Sequence, residues 1–334
     1  MSEREKKEEA KQTTYLEAIR QAMAEEMRRD PSVFVMGEDV GVYGGAFGVT
    51  AGLIDEFGEH RVIDTPISES LIVGAATGAA MLGMRPVAEM QFSDFISCGF
   101  DQIVNQAATM RYRFNGGVSV PWVIRCPSTG NVHGSMYHSQ NPEGWFFHTP
   151  GLKIVAPATP YDAKGLLKAA IRDDDPVLFF ESKYLYRRAK QALPEEDYVV
   201  PLGRANVVHK GDDLTIVTYG SGTYYSLQAA QKLSEEGIEA EVLDLRSLNP
   251  LDKEAIFESV RRTTRVLVVH EDWKRAGVGA EIAAMLAEEA LDYLDAPIIR
   301  VAGRNLPVPF SPPLEAFHLP TPEKIVEGAR AVLA

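Results

Sequence analysis

The chain has 334 residues, 45% of them hydrophobic and 24% charged, which is long enough for two globular domains. Its net charge of −13 makes it a poor candidate for binding nucleic acid, and no apolar run is long enough to span a bilayer. The two cysteines, Cys98 and Cys126, stand apart, which argues against a disulfide framework or a thiolate metal site and suits a reducing cytoplasm.

Residues 1–12 mix both charge signs without an apolar core, so they read as a solvated, flexible tail and not as a targeting signal. Thr14 with Glu17 forms a capping box, and Leu16, Ile19, Met23 and Met27 follow at helical spacing. Val33–Met36 is a short buried strand, followed by Gly37-Glu38-Asp39 and a glycine-rich loop from Gly41 to Gly48. Leu71–Met84 predicts a helix made almost wholly of Gly, Ala and aliphatic residues. Gly74 and Gly78 lie one turn apart, and each costs up to about 1 kcal/mol against alanine. Close approach of another helix would offset that, so this helix is expected to be buried, at a subunit contact if not inside the chain.

Val87–Phe92 and Trp122–Arg125 predict strands around a helix at Asp101–Arg113. Leu152–Val155, a helix opening at Pro160 and the strand Val177–Phe180 complete an alternating block. Residues 191–205 are polar and Pro-containing and read as a linker. A second block follows: strands at Leu214–Thr218, Ala240–Leu245 and Val266–Val269, with helices at Ser226–Glu236 and Gly279–Leu291. The fold class is therefore α/β, two doubly wound domains spanning 13–190 and 206–334.

The familiar catalytic signatures are missing. There is no GxxxxGK[ST] loop, no strict GxGxxG after the first strand, no GxSxG elbow and no HExxH. Tyr219-Gly-Ser-Gly222 follows a strand, but two glycines are usually just a turn. Three constellations remain. Glu69, in Asp64-Thr-Pro-Ile-Ser-Glu69, opens a helix whose next thirteen residues carry no charge. Burial there would raise its pKa, whereas the plainer reading is a carboxylate favoured by the helix dipole. His133 and His138, in a Gly/Ser-rich loop, suit acid–base work or a surface position, and metal ligation less well. Gln91, Phe92 and Phe95 follow a strand end, where ligands gather in open α/β sheets, although either Phe alone would suit a core.

In order and spacing, these segments resemble the β-type subunits of thiamine-diphosphate-dependent 2-oxo acid dehydrogenases. The matching stretches are Gly37-Glu-Asp-Val40, Asp64-Thr-Pro-Ile-Ser-Glu69, Arg85-Pro-Val-Ala-Glu89, Phe100-Asp-Gln102, His138-Ser-Gln140, Pro150-Gly-Leu-Lys153, Asp162-Ala-Lys-Gly-Leu166 and Pro307-Val-Pro-Phe310. The resemblance implies a thiamine-diphosphate pyrimidine-binding domain followed by a transketolase-like C-terminal domain. It implies an α2β2 heterotetramer whose α-type subunit holds Mg²⁺ and the diphosphate, and transfer of the acyl group to a lipoyl acyltransferase component.

Glu69 matches the glutamate that hydrogen-bonds the aminopyrimidine, and Phe95 an aromatic beside that ring. Gln91 is a lesser match near the cofactor. His138 matches a histidine assisting acyl transfer, and His133 occurs in only some members. A potassium site is implied at Trp122, Ala170, Ile171, Asp173 and Asp175, although Asp173-Asp174-Asp175 also suits a solvated turn. The loop 133–138 is similar to branched-chain members, whereas Pro309–Leu314 and Gly41–Gly45 are closer to pyruvate or acetoin types. A 2-oxo acid is the favoured substrate, with acetoin, or a role mainly in docking the acyltransferase core, as alternatives.

Overall fold

A computed structural model describes residues 12–334, so most of the tail expected at 1–12 lies outside the described residues. Gln12 itself begins a strand, β1 (Gln12–Thr14). The capping box forms as the sequence requires: Thr14 accepts from the Glu17 N–H at 3.2 Å, and Glu17 accepts from the Thr14 N–H at 2.8 Å. It starts α1 (Tyr15–Arg29), whose buried face carries Leu16, Ile19, Met23 and Met27.

The first domain then runs β2 (Val33–Gly37), α2 (Leu53–Phe57), β3 (Val62–Asp64), α3 (Glu69–Met81) and β4 (Arg85–Glu89). After α4 (Met110–Arg113) come β5 (Val123–Ser128), α5 (Gly144–Phe147), β6 (Lys153–Val155), α6 (Pro160–Arg172), β7 (Val177–Ser182) and β8 (Lys190–Ala192). The second domain adds β9 (Asn206–His209), β10 (Leu214–Thr218), α7 (Ser221–Ser234), β11 (Ala240–Asp244) and β12 (Ser247–Asn249). It ends with α8 (Lys253–Thr263), β13 (Val266–Trp273), α9 (Val278–Glu289), β14 (Ile299–Gly303), α10 (Pro312–His318) and α11 (Pro322–Leu333).

The sheet of the first domain has the order β12-β6-β7-β5-β4-β2-β3, parallel except at β12. The second sheet is β14-β13-β10-β11-β9, with only β9 antiparallel. Near-continuous apolar strands such as β5 and β7, buried along their whole length, are what a sheet covered on both faces demands. Helices α1 and α6 cover one face of the first sheet; α7 and α11 cover the outer face of the second. Between the sheets one apolar core runs through both domains, from Met90, Trp122 and Phe146 to Tyr219, Leu245 and Val268.

Three expectations need correction. The helix expected at 101–113 is broken into a π turn (Gln102–Gln106), a 3₁₀ turn (Ala107–Thr109) and the short α4. Thr109 Oγ1 bonds back to the Asn105 and Gln106 carbonyls at 2.9 and 3.2 Å, a contact that bends helices. Gly151 also presses against the Ala108 carbonyl so closely that an added Cβ would lie 2.0 Å from its oxygen. The helix expected from Ser226 starts at Ser221, because the Gly220-Ser-Gly222 turn is its first turn.

Finally, α3 is not buried all round. Ile72, Val73, Ala76 and Ala80 face the core, whereas Leu71, Ala75, Gly78, Met81 and Leu82 are exposed, Leu82 by 88%. An added Cβ at Gly78 would meet nothing within 4 Å. The close approach that would justify that glycine therefore does not come from the described residues of this chain.

Candidate active site

All the sequence-selected groups except the potassium set follow the carboxyl ends of the parallel strands or the loops above them. Beyond β2, Glu38 is buried and one of its carboxylate oxygens has no partner. Beyond β3, Asp64 accepts the Gly41 N–H at 2.6 Å and so anchors the glycine-rich loop. That loop turns tightly at Gly44 (φ +82°), where an added Cβ would fall 2.8 Å from Ala51 Cα, so no side chain fits.

Glu69 is the first residue of α3, half-buried, with no hydrogen bond or ion pair from its side chain to the described residues. Its charge reaches Glu38: burial raises the Glu38 pKa, and the Glu69 carboxylate adds to the shift. The two carboxyls thus share one field at the mouth of the sheet.

Below them lies a buried ion cluster. Arg125 of β5 donates to Glu89 of β4 at 2.5 Å and to Glu181 of β7, and all three side chains are out of water. Burial pushes Glu181 up to about 7 despite the Arg125 charge. Such a cluster contributes less to net stability than to fixing how three strand ends sit.

The opposite wall is aromatic. Phe92, just past β4, lies 5.4 Å from Phe47, 6.1 Å from Phe95 and 4.3 Å from the His138 ring, centroid to centroid. Phe95 and His138 are 5.7 Å apart, and all these contacts are edge-to-face, the arrangement aromatic quadrupoles favour. The loop carrying His138 is tightly wound. Thr129, Asn131, His133 and Ser135 all have positive φ, which costs of order 1–3 kcal/mol for a non-glycine residue.

Groups from the second domain hold this loop. Glu271 accepts the Gly130 N–H and Glu315 the Asn131 N–H, both at 2.9 Å. His133 Nδ1 lies 2.6 Å from a Glu315 oxygen, so His133 is tied to α10, away from the aromatic wall. Gly134 must be glycine, since an added Cβ would lie 2.6 Å from His138 Cβ.

The structure thus groups Phe92, Phe95 and His138, places Glu69 at the neighbouring helix start, and sends His133 elsewhere. Gln91, half-buried beside Phe92, has no hydrogen bond from its side chain to the described residues.

Residues 11–189 match the transketolase pyrimidine-binding domain and residues 203–325 the transketolase C-terminal domain. A "2-oxoisovalerate dehydrogenase subunit beta" of Bacillus subtilis is 54% identical over 322 residues, covering 96% of this chain and 98% of that one. The chain belongs to the E1 β-subunit family of the 2-oxo acid dehydrogenases.

Other relatives of this E1 β-type chain also come from Bacillus subtilis. The "acetoin:2,6-dichlorophenolindophenol oxidoreductase subunit beta" is 48% identical, covering 93% of this chain and 94% of that one. The "pyruvate dehydrogenase E1 component subunit beta" is 47% identical, covering 96% and 99%. Among solved structures, the fold is shared with a "split gene transketolase, inactive beta4 tetramer" (TM-score 0.79, 24% identity, 96% and 98% covered). No helix among the described residues is long and apolar enough to cross a membrane.

In this E1 β-type chain the five positions expected to hold potassium do meet, where α6 ends and β7 begins, but their oxygens are engaged. The Trp122 carbonyl accepts from Val177 at 3.1 Å and that of Ala170 from Asp173 at 3.3 Å. The Ile171 and Asp173 carbonyls accept from Arg85 at 3.0 and 2.8 Å. Lys153 donates to both Asp173 oxygens at 2.7 Å and lies 3.2 Å from Asp175, which Arg111 also binds. Three protein cations thus engage Ile171, Asp173 and Asp175, so potassium would have to share these oxygens with them.

The sequence reading gave no role to four polar groups of the site: Glu38 and Asp94, which lie inside its motifs, and Glu181 and Lys183, which do not. The signal for the last two was present, since Glu181-Ser-Lys183 lies at the carboxyl end of a central strand.

Proposed function

We propose that this chain is the β subunit of a thiamine-diphosphate-dependent 2-oxo acid dehydrogenase, acting in an α2β2 heterotetramer that passes its acyl group to a lipoyl acyltransferase. The observation that carries this reading is the juxtaposition at the strand ends. A half-buried carboxylate without a hydrogen bond or ion pair among the described residues, Glu69, stands at a helix start, its charge felt by the buried Glu38, near the wall built from Phe92, Phe95 and His138.

These residues fit the pyrimidine half of thiamine diphosphate. Glu69 would accept a hydrogen bond from a ring nitrogen, Phe95 would cover a ring face, and Gln91 would meet a polar edge. Bound there, the cofactor supplies the carbanion chemistry of decarboxylation; the protein orients and polarises it. No group of three or more His, Cys, Asp or Glu able to hold a metal occurs among the described residues, and Mg²⁺ with the diphosphate is assigned to the α-type subunit. Glu69 holds or moves the proton that the pyrimidine exchanges. The aromatic wall keeps water from the reacting face. His138 moves a proton during transfer to the lipoyl sulfur. The exposed stripe of α3 is assigned to a subunit contact.

The higher identity to the 2-oxoisovalerate relative, 54% against 47% for the pyruvate one, supports a branched-chain 2-oxo acid as substrate. The test is dye reduction with thiamine diphosphate and Mg²⁺, using the chain alone and then co-purified with its α-type partner. Pyruvate, 2-oxoisovalerate and acetoin are compared. Activity only with the partner, highest on 2-oxoisovalerate, is expected. Activity of the chain alone would refute the shared site, and preference for acetoin would refute the substrate class.

A further inference from the structure

Lys183 has no part in the chemistry described above, yet it lies beneath it. Its side chain is buried, 7% of the residue being exposed, and its ammonium donates to the Pro127 carbonyl at 2.9 Å. The ammonium also sits 5.8 Å above the Phe92 ring, the ring whose edge meets His138 at 4.3 Å. Burying an ammonium is costly, so a partner charge is required. Among the described residues the ammonium has no carboxylate within 4.0 Å, and the charge that supports it most is that of the buried Asp94.

One Asp94 oxygen accepts the Gln140 N–H at 3.1 Å, and its other oxygen is buried without a hydrogen bond. Ser93 Oγ donates to the Gln140 carbonyl, also at 3.1 Å. The main chain two residues beyond His138 is therefore pinned on both its polar groups by Ser93 and Asp94.

We propose that Lys183 is the positioning residue of the His138 loop. Its buried ammonium offsets the buried Asp94 charge and backs the Phe92 ring, and through these two interactions it sets where the imidazole stands. The role of the imidazole rests on the functional reading above; the pinning of the loop does not.

The other charges facing Lys183 are Glu181 at the end of its own strand and Glu271 of β13, which Ser221 and Gly130 already engage. Burial brings Lys183 down to about 8, against the pull of these carboxylates. The ammonium is therefore present below pH 8 and lost as pH rises through it. Asp94 is then a buried carboxylate facing no cation, a cost the segment relieves by opening to water, and the Gln140 amide loses protection.

The experiment is hydrogen exchange at the Gln140 amide in the assembled complex, corrected for intrinsic exchange, with Val217 of β10 as a distant control. In the natural protein, protection should fall about tenfold between pH 7 and 9.5 with a midpoint near 8, the scale of losing a bond to a charged group. Lys183→Arg, which stays charged, should remain protected across that range. Lys183→Met should be loose throughout and lose acyl transfer to lipoyl about tenfold more than decarboxylation.

Flat protection in the natural protein, a Met variant as protected as the natural one, or equal loss in the two reaction steps would each overturn the proposal. If Lys183→Met fails to assemble, the titration of the natural protein decides by itself. Absence of any 2-oxo acid activity would overturn the functional reading and leave the exchange result standing.

Discussion

Glu69→Gln separates folding from function more cleanly than any other change in this chain. The carboxylate has no hydrogen bond or ion pair to the described residues, so the fold loses only its interaction with the start of α3, about 0.3–1 kcal/mol. Relief of the repulsion with Glu38 offsets part of that. Activity is another matter, because an amide cannot take up the proton. A positioned acid–base group is worth on the order of a hundred- to ten-thousandfold in rate, or about 3 to 5 kcal/mol of barrier. The assay is dye-linked oxidation of the 2-oxo acid by the co-purified complex, beside gel filtration and thermal unfolding of the same sample. Assembly and melting should be nearly unchanged while turnover falls by that factor. A rate within about threefold of the natural one would sink the assignment of Glu69. A lost tetramer would show that the residue serves the interface instead.

Replacing His138 with Ala should slow acyl transfer to lipoyl about a hundredfold and decarboxylation much less, measured with a lipoylated acceptor and with dye in parallel. Equal losses would count against its role. Arg125→Met should destabilise the protein by about 3–5 kcal/mol at pH 8, because it leaves Glu89 and Glu181 buried without their cation. The sign with pH follows from the raised Glu181 pKa of about 7: its folded form binds a proton that the unfolded chain has released, so the group destabilises as pH rises. Without Arg125 that pKa climbs further, so denaturant melts should show a larger deficit at pH 8 than at pH 5.5. A deficit independent of pH would refute the mechanism. His133→Ala removes a partly exposed contact with Glu315, so activity should stay within about threefold, while exchange at the Asn131 amide quickens. An inactive variant would mean that His133 reaches the chemistry after all.

The sheet was legible because its buried strands are mostly apolar, and so was α1, because its cap residues bond to each other within one turn. The helix at 101–113 was misread because its apolar spacing is helical while Thr109 and the pressure of Gly151 break the ladder. Neither contact is visible along the sequence. For α3 the pattern correctly marked a face in need of cover. It could not tell that the described residues of this chain leave that face uncovered. Glu69, Phe95 and His138 were legible only through their motifs, since each residue type alone has a commoner structural use. Lys183 and Asp94 escaped because their meaning arises from being buried together, which pairs residues 89 positions apart. The potassium positions have a related limit: nothing in the order of residues shows that Lys153, Arg85 and Arg111 converge on residues 171–175.

The strand β12 belongs by sequence to the second half of the chain and by hydrogen bonding to the first. Ser247 and Asn249 pair with Val155 and Ile154, and the Ala156 N–H donates to the Arg246 carbonyl at 2.7 Å. The halves are thus joined like a drawer closed by its own front panel. A fragment ending at the linker would present β6 as an unpaired edge, open to pairing with any extended chain. Genetic exchange of the C-terminal half between relatives would also have to respect this seam.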